Sequence, residues 1–429
     1  MNVTITPTLL HGAVVPPPSK SQAHRLLLAA ALAHGASTLS NVAFSQDIQA
    51  TVRCLEALGA DVRREGDCLS VTGLSGKTAS GGELPRLDCG ESGSTLRFLI
   101  PVALAVRGGG VFTGRGRLME RPQEPYFAIF REKGVSYGQK GDTLTVSGRL
   151  APGVYTLPGN VSSQFITGLL YALPLLPGDS EIRLTTPLES RGYVDMTMDA
   201  LKEFGVAVKY DGERIFRVPG NQTGHPAAMT VEADWSNAAF WYAAVGLGCE
   251  LDIQGLNACS CQGDMRIVAF YTALCGEKMA QEAGVVLSHP RQPGQRRALE
   301  LDVSQCPDLV PPLAALAALT PDCDTTIANA ARLRIKESDR LSTVTEVLTT
   351  LGAEVEEYAD HLVIVGKDHL PGGVTVSGHN DHRIAMMAAI AAVRCGAPVT
   401  VTGAECVGKS YPSFWEEYAR LGGQIAVSE

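Results

Sequence analysis

The chain has 429 residues, a length that predicts two domains. Of these residues 45% are hydrophobic and 19% charged, which is typical of a globular protein. Its net charge is −9 at pH 7, and it has neither a basic tail nor a run of Lys and Arg interleaved with aromatic residues, which argues against nucleic acid as a partner. No apolar run is long enough to span a membrane, and the first residues follow neither a signal-peptide nor a transit-peptide plan, so we expect a cytoplasmic protein without a membrane partner. Many Arg and Lys residues nevertheless lie in Gly- and Ser-rich turns, which points to a small, multiply anionic ligand.

The 11 cysteines include no C-x-x-C pair and no nearby His cluster. Cys259 and Cys261 are one residue apart, a spacing that suits neither a zinc knuckle nor a mutual disulfide. We therefore predict no metal site and no structural disulfide.

One structural unit recurs along the chain. An amphipathic helix ends at a Gly and is followed by an alternating strand, usually with a turn and a second strand. The copies cover residues 54–73, 130–148, 201–220 and 347–366, with a weaker copy at 279–289 and a terminal one at 418–429. Gly59, Gly134, Gly205 and Gly352 are predicted to adopt the left-handed conformation just past the helix ends. In the first copy Ser45 is a candidate N-cap, and one helical face carries Ile48, Val52, Leu55 and Leu58.

A second helix lies upstream in each unit, with a polar start and an almost wholly apolar body. These helices begin within residues 19–35, 90–106, 162–176, 234–248, 308–319 and 380–393, roughly every 70 residues. Being apolar on all sides, they should be buried. Their first turns, which carry unpaired N–H groups and the positive ends of helix dipoles, are then expected to converge on a shared surface.

Three units are thus predicted for each of two domains. The boundary is expected near residue 230, giving one domain from residues 19–230 and another from 1–18 with 231–429. Residues 1–15 are predicted to form an additional strand that pairs with the second domain. Residues 16–18 (Pro-Pro-Pro) are predicted to form a stiff connection between the domains. We expect an anion site in the cleft between the domains. The chain is predicted to pass from one domain to the other twice, and two such connections would allow the cleft to open and close.

The first helix start, PPPSKSQAHR, contains Lys20, Ser21 and Arg25. Lys supplies a point charge for phosphate, Arg a bidentate fork and Ser a neutral donor. A capping Ser beside two solvated cations explains the same residues, and this stretch alone does not decide between the two.

The second and third helix starts are also polar. GESGSTLR supplies Gly93, Ser94 and Arg97, but it lacks the P-loop pattern, and Arg121 in LMERPQEP could belong to a plain surface turn. In NVSSQF three short donors precede an apolar helix, more than capping requires: Ser162, Ser163 and Gln164. LESRGYVD adds Ser190, Arg191 and Tyr193, which fit either a loop or a sugar-like ligand.

The most highly charged stretch is RLRIKESDRL, with Arg332, Arg334, Lys336, Glu337, Asp339 and Arg340. Helical ion pairing is one interpretation, because Lys336 and Arg340 are four residues apart. A Glu among cations can instead donate a proton beside a bound anion. NDHRIAM contributes Asp381, His382 and Arg383, and CVGKSYP contributes Lys409. Asp308, at the start of a buried helix, is either an N-cap or a functional acid.

Taken in order, the motifs S-K-S…R, G-x-x-G-[ST]…R, E-R-P, S-S-Q-F, K-E-[ST]-D-R-L, N-D-H-R and K-[ST]-[YF]-P resemble those of the 5-enolpyruvylshikimate-3-phosphate synthases over essentially the whole chain. None of them is specific alone, but the set is. The resemblance implies an α/β fold of two domains, each of three βαβαββ units around buried helices (an inside-out α/β barrel of the enolpyruvyl transferase type). It also implies transfer of the enolpyruvyl group of phosphoenolpyruvate to shikimate 3-phosphate, without a metal or organic cofactor.

The resemblance further implies a role for each matching residue. Shikimate 3-phosphate is expected to contact Lys20, Ser21, Arg25, Ser162, Ser163, Gln164, Ser190, Tyr193, Asp308 and Lys336. Phosphoenolpyruvate is expected to contact Lys20, Gly93, Arg121, Gln164, Arg340, Arg383 and Lys409. Asp308 is expected to be the base and Glu337 the acid, with Lys20 assisting.

The sequence departs from the family pattern at three places. Pro18 replaces a common Gly, Arg332 stands where some members have Asn, and GESGST replaces N-A-G-T, which brings Glu91 near the phosphoenolpyruvate pocket. Gly93 is retained, so glyphosate remains a candidate inhibitor. No dedicated interface is evident, and we expect a monomer.

Three alternatives remain. A UDP-N-acetylglucosamine enolpyruvyl transferase would have K-N in the first motif and a reactive loop Cys, whereas this chain has K-S and no Cys between Cys89 and Cys249. A non-catalytic anion-binding homologue would not need the acid and base. An RNA-end-modifying relative would need a basic groove.

Overall fold

The computed structural model describes residues 1–74, 83–280, 285–288 and 297–429. The chain divides into two compact units, one formed by Met1–Pro17 with Ala233–Glu429 and the other by Pro18–Glu232. Of the predicted repeat copy at 279–289, residues 281–284 and 289 lie outside the described residues.

Helices and short strands alternate throughout. The helices are α1 (Lys20–Leu32), α2 (Gln46–Ala57), α3 (Gly93–Arg107), α4 (Glu124–Lys133), α5 (Ser163–Ala172), α6 (Arg191–Glu203), α7 (Trp235–Gly246), α8 (Ile267–Cys275), α9 (Val310–Ala318), α10 (Arg340–Leu351), α11 (His382–Ala392) and α12 (Phe414–Arg420). The strands of the first half are β1 (Asn2–Thr6), β2 (His11–Val14), β3 (Ala36–Ser40), β4 (Asp61–Glu65), β5 (Cys68–Thr72), β6 (Arg86–Asp88), β7 (Gly109–Thr113), β8 (Ser136–Lys140), β9 (Thr143–Ser147), β10 (Gly153–Leu157), β11 (Ser180–Leu184), β12 (Lys209–Tyr210) and β13 (Ile215–Val218). Those of the second half are β14 (Ala228–Thr230), β15 (Glu250–Ile253), β16 (Glu277–Ala280), β17 (Val285–Ser288), β18 (Arg297–Asp302), β19 (Cys323–Ala328), β20 (Glu354–Glu357), β21 (Leu362–Val365), β22 (Leu370–Gly372), β23 (Thr375–Ser377), β24 (Cys395–Ala397), β25 (Val399–Thr402) and β26 (Gln424–Ser428).

The Pro18–Glu232 unit contains three four-stranded sheets of the same design. Their orders are β14-β3-β5-β4, β6-β7-β9-β8 and β10-β11-β13-β12. In each, the first two strands are parallel, and the remaining pairs are antiparallel. Parallel neighbours need a long crossover, and here a helix supplies it: α3 connects β6 to β7, and α5 connects β10 to β11. The predicted βαβαββ unit is therefore confirmed.

The other unit uses the same plan. Its four-stranded sheets run β18-β19-β21-β20 and β23-β25-β1-β26, with paired strands β15-β2, β16-β17 and β22-β24. The chain start pairs here, as predicted. Val3 of β1 lies opposite Val401 of β25 and Val427 of β26, and β2 runs parallel to β15.

The apolar helices lie at the centre of each unit, as their lack of a polar face predicts. Every residue of α11 is buried, and α9 is buried along its whole length. Helices α1, α3 and α5 pack within the core of the Pro18–Glu232 unit. The predicted helix ends are confirmed as well, since Ser45 caps α2 and the four glycines have φ of 104°, 69°, 77° and 102°.

All 11 cysteines are free. Among the described residues, no group of three or more His, Cys, Asp or Glu side chains is arranged to hold a metal ion. Over the same ranges no helix combines the length and apolar character needed to cross a membrane.

Candidate active site

The start of α1 holds Lys20 in an ion pair. Ser19, not Ser21, is the capping residue and accepts a hydrogen bond from Gln22 N at 3.3 Å. Lys20, the first helical residue, places Nζ 2.9 Å from Asp47 Oδ2, and the side chains are only 15% and 12% exposed. The interpretation of Lys20 as a solvated cation is therefore wrong.

Arg25 is buried rather than solvated. Its side chain is 2% exposed, and Nε donates to the Tyr193 carbonyl at 3.0 Å and to Thr197 Oγ1 at 2.9 Å, while Nη1 donates to the Ser21 carbonyl at 2.7 Å. The guanidinium also lies 5.7 Å from the centre of the Tyr193 ring. Arg25 therefore contacts both Ser21 and Tyr193, and all three residues were predicted to contact shikimate 3-phosphate.

The starts of α3 and α5 meet around Gln164. Gln164 Nε2 donates to Ser94 Oγ at 3.1 Å, and its Oε1 accepts from Arg97 Nη1 at 2.9 Å. Arg121 lies directly against Gly93, because a Cβ added there would be 2.5 Å from Arg121 Nη1. The structure thus brings together Gly93, Arg121 and Gln164, all predicted to contact phosphoenolpyruvate.

Arg97 organises this region, although the sequence analysis named it only as part of the GESGSTLR motif and assigned it no substrate contact. It is 2% exposed, its guanidinium lies 4.7 Å from the centre of the Phe165 ring, and Nη2 donates to the Pro122 carbonyl at 3.0 Å. One side chain therefore fixes both Gln164 and the turn that follows Arg121. Its position four residues after Gly93 on an otherwise apolar helix was the available signal.

The serines occupy two further helix starts. Ser162 caps α5 by accepting from Gln164 N at 3.3 Å, and Ser163 is buried. Ser190 precedes α6 in a left-handed conformation, with φ of 54°, and is also buried. Ser162 thus serves as a cap, whereas Ser163 and Ser190 are not required for capping.

In the other unit, three carboxylates surround Arg340. The guanidinium is 1% exposed and donates from Nε to Asp381 at 2.7 Å, from Nη1 to Asp308 at 2.8 Å and from Nη2 to Glu337 at 2.8 Å. Burial lowers the pKa of Arg340, but attraction to Asp381, Glu337 and Asp308 outweighs this and raises it. The guanidinium is a fixed positive centre between the predicted acid and the predicted base.

Three cationic side chains surround the carboxylate of Asp308. Lys336 Nζ lies 3.3 Å from Oδ1, Arg340 Nη1 lies 2.8 Å from the same atom, and Arg383 Nη2 lies 3.4 Å from Oδ2. Its side chain caps neither the short turn Pro307–Leu309 nor α9, so the N-cap interpretation is wrong. Burial raises the pKa of Asp308, but Arg383, Lys336 and Arg340 hold it well below its usual 3.8.

Lys336 does not form a helical pair with Arg340. Helix α10 begins at Arg340, and Lys336 lies before it in an extended conformation, so the prediction of helical ion pairing is wrong. Burial lowers the pKa of Lys336 from its usual 10.5, against the opposing attraction of Asp308. The ammonium is directed at Asp308 instead of along a helix face.

Asp381 was named in its sequence motif but was given no role in the site. It is fully buried, caps α11 by accepting from Arg383 N at 3.0 Å, and accepts from Ser338 Oγ at 3.0 Å as well as from Arg340. Lys409 Nζ donates to the Asn380 carbonyl at 2.6 Å. The residues Asp308, Lys336, Glu337, Arg340 and Arg383 therefore form one cluster, with Lys409 beside the cap of α11.

Other charged residues of the same motifs lie elsewhere. Arg334 pairs with Asp339 at 3.0 Å and with Glu357 at 2.8 Å, and Arg191 pairs with Asp195 at 3.3 Å. Arg332 donates to the Ser304 carbonyl. These contacts account for Arg334 and Arg191 as structural residues.

The fold is similar to that of known enolpyruvyl transferases. An EPSP synthase from Acinetobacter baumannii superposes with a TM-score of 0.79 at 25% identity, with all of both chains covered. The enolpyruvyl transferase NikO from Streptomyces tendae superposes with a TM-score of 0.77, covering 99% of this chain and 98% of that one; at 18% identity this shows the fold alone.

The sequence comparisons give the family. The profile of the family described as EPSP synthase (3-phosphoshikimate 1-carboxyvinyltransferase) matches residues 5–418. Proteins named 3-phosphoshikimate 1-carboxyvinyltransferase are 46% identical in Clostridium kluyveri and 45% identical in Clostridium acetobutylicum, each match covering 99% of this chain and 98% of the relative. The chain belongs to the EPSP synthase family.

Proposed function

We propose that this chain transfers the enolpyruvyl group of phosphoenolpyruvate to the 5-hydroxyl of shikimate 3-phosphate and releases phosphate. This reaction belongs to the shikimate pathway, which leads to chorismate and the aromatic amino acids. The observation that carries the proposal is the partly buried cluster in which Arg340, Arg383 and Lys336 hold the carboxylate of Asp308 beside Glu337. Such a cluster offers both anion binding and proton transfer.

The substrate contacts follow the residues brought together in each unit. Shikimate 3-phosphate is assigned to Lys20, Ser21, Arg25, Ser162, Ser163, Gln164, Ser190, Tyr193, Asp308 and Lys336. Phosphoenolpyruvate is assigned to Lys20, Gly93, Arg121, Gln164, Arg340, Arg383 and Lys409. Because each set draws on both units, the reaction is proposed to take place in the cleft predicted between the two domains.

Asp308 is assigned as the base that removes the proton of the 5-hydroxyl. Its lowered pKa makes it a weak base while three cations surround it. The carboxylate and phosphate of phosphoenolpyruvate would compete for Arg340 and Arg383, and the loss of these partners raises the pKa of Asp308. Substrate binding therefore prepares the base.

Glu337 is assigned as the acid. It delivers a proton to the methylene carbon of phosphoenolpyruvate, and the 5-oxygen bonds to the neighbouring carbon to give a tetrahedral intermediate. That carbon then loses phosphate by cleavage of its C–O bond, while the new methyl group returns a proton. Lys20 assists, and the surrounding cations stabilise the charge of the leaving phosphate, an effect worth several kcal/mol in such sites.

The finer properties stay predictions. They are a monomeric state, a cytoplasmic location and inhibition by glyphosate at the phosphoenolpyruvate subsite.

The test is phosphate release from phosphoenolpyruvate with shikimate 3-phosphate, with UDP-N-acetylglucosamine and without acceptor. We expect release with shikimate 3-phosphate alone. Asp308→Asn and Glu337→Gln should each lower kcat by about 10²- to 10⁴-fold, the usual contribution of general acid–base catalysis. Asp339→Asn, a carboxylate change in the same motif but outside the cluster, serves as control and should stay within a few-fold of wild type. Release only with the nucleotide sugar would reassign the acceptor, and ligand binding without turnover would indicate an anion-binding homologue.

A further inference from the structure

A chain of buried side chains links α1, α2 and α3 through hydrogen bonds. His24 Nδ1 lies 2.7 Å from Thr51 Oγ1, which lies 2.6 Å from Thr95 Oγ1, which in turn lies 2.7 Å from Ser92 Oγ. The four side chains are at most 1% exposed. Nothing in the assigned reaction uses His24, Thr51 or Thr95.

The direction of each hydrogen bond in this series of side chains follows from the number of protons that each group can donate. Each hydroxyl has one proton to donate, and Thr95 donates to Ser92. The short contact between the two threonines then requires Thr51 to donate to Thr95, and Thr51 must accept from His24 Nδ1–H. Donation from Thr51 to the Asp47 carbonyl, at 3.3 Å, would leave the 2.6 Å contact without a proton.

The environment of His24 agrees with a neutral ring protonated at Nδ1. Burial, followed by the nearby charges of Lys20 and Arg25, holds the pKa of His24 well below its usual 6.5. Its Nε2 is buried and has no hydrogen-bond partner within the described part of the chain. With Nδ1 protonated, the buried atom without a partner is the bare acceptor Nε2, and no N–H of the ring is left without an acceptor.

The relay ends at Ser92, which caps α3. Its oxygen already accepts from Thr95 N at 3.2 Å and from Thr95 Oγ1, so its own proton remains to be donated. The next two residues, Gly93 and Ser94, begin the helix that meets Arg121 and Gln164. We propose that His24, Thr51 and Thr95 form a donor relay that orients the Ser92 hydroxyl and so positions the start of α3 for phosphoenolpyruvate. The proposal rests on the proposed function, and the three residues are positioning residues that need not touch substrate.

The decisive variant is Thr51→Val, which has nearly the same shape but neither accepts from His24 nor donates to Thr95. We expect the KM for phosphoenolpyruvate to rise about 10-fold, in line with the net worth of one buried hydrogen bond, with kcat and the KM for shikimate 3-phosphate within about twofold of wild type. Thr51→Ser, which keeps the oxygen, should restore most of the affinity. Thr320→Val is the matched control, because Thr320 is as deeply buried and, among the described residues, its hydroxyl donates to the Leu316 carbonyl near the end of α9.

A second measurement does not depend on turnover. In protein labelled with ¹⁵N-histidine, the His24 resonances, assigned by their loss in His24→Asn, should show a protonated Nδ1 and a bare Nε2 at neutral pH. A protonated Nε2, or an unchanged KM for phosphoenolpyruvate in Thr51→Val, would overturn the relay. If wild type itself fails to release phosphate, the proposed function falls, and the tautomer still decides whether the relay exists.

Discussion

Replacing Asp381 with Asn tests whether the cluster around Arg340 depends on this carboxylate. Asp381 accepts from Arg340 Nε at 2.7 Å, from Arg340 Nη2 at 3.2 Å, from Ser338 Oγ and from Arg383 N. Asn caps helices as well as Asp does, so the cap of α11 survives the change. The amide nitrogen, however, replaces one acceptor with a donor and leaves at least one N–H of Arg340 without a partner in a fully buried site.

The expected loss follows from these contacts. Removing one partner of a buried ion pair costs about 3–5 kcal/mol. Arg340 keeps Asp308 and Glu337, so the loss should lie at the lower end, about 3 kcal/mol, or somewhat more than a 100-fold change in the folding equilibrium. Turnover should fall too, because Arg340 loses the contact that orients its guanidinium.

Urea unfolding followed by tryptophan fluorescence suits this measurement. The three tryptophans, Trp235, Trp241 and Trp415, all belong to the unit that contains Asp381. Asp339→Asn is the matched control: Asp339 also caps a helix and pairs with an Arg, but its side chain is 34% exposed, so the loss should be below about 1 kcal/mol. An Asp381→Asn loss no larger than that of the control would refute the reasoning.

Three further changes should give distinct results. Gly93→Ala should raise the KM for phosphoenolpyruvate about 10-fold or more with little effect on shikimate 3-phosphate, because the new methyl group displaces Arg121; equal effects on both substrates in steady-state kinetics would contradict this. Arg97→Met should weaken phosphoenolpyruvate binding and destabilise its unit by about 2–4 kcal/mol in a circular dichroism melt, whereas loss of stability without a change in KM would show that Arg97 is structural only. Burial holds the pKa of His24 well below its usual 6.5 in the folded state, so the unfolded state binds the proton first as the pH drops. The free energy of unfolding should therefore fall below about pH 6.5, by up to about 1.4 kcal/mol per pH unit. His24→Asn should flatten the pH dependence of stability between pH 7 and pH 5, and an unchanged slope would show that His24 titrates normally.

Much of the fold could be predicted from sequence because one unit recurs. Helices without a polar face, such as α11, must be buried, and a Gly after each amphipathic helix marks its end. The chain start could be placed because β1 has no partner strand nearby in sequence, and the structure pairs it with β25 and β26.

The details of the site were harder to predict, because they depend on contacts between residues far apart in sequence. Asp47 is 27 residues from Lys20, and Asp381 is 41 residues from Arg340. Local interpretation also failed where spacing was misleading: Lys336 and Arg340 have helical spacing, but only Arg340 is in the helix. Arg97 was recognised as part of a motif, but its role was not, because its partners Gln164 and Pro122 come from other segments.

The most direct test of the proposed reaction is ³¹P NMR of the wild-type protein with phosphoenolpyruvate and shikimate 3-phosphate in D₂O. We predict that one phosphate appears for each shikimate 3-phosphate consumed. In a proton spectrum of the product, the vinyl signals should lose intensity, because deuterium enters when the methyl group forms and part of it stays when that group loses a proton. Phosphate release without consumption of shikimate 3-phosphate, or no conversion at all, would contradict the account.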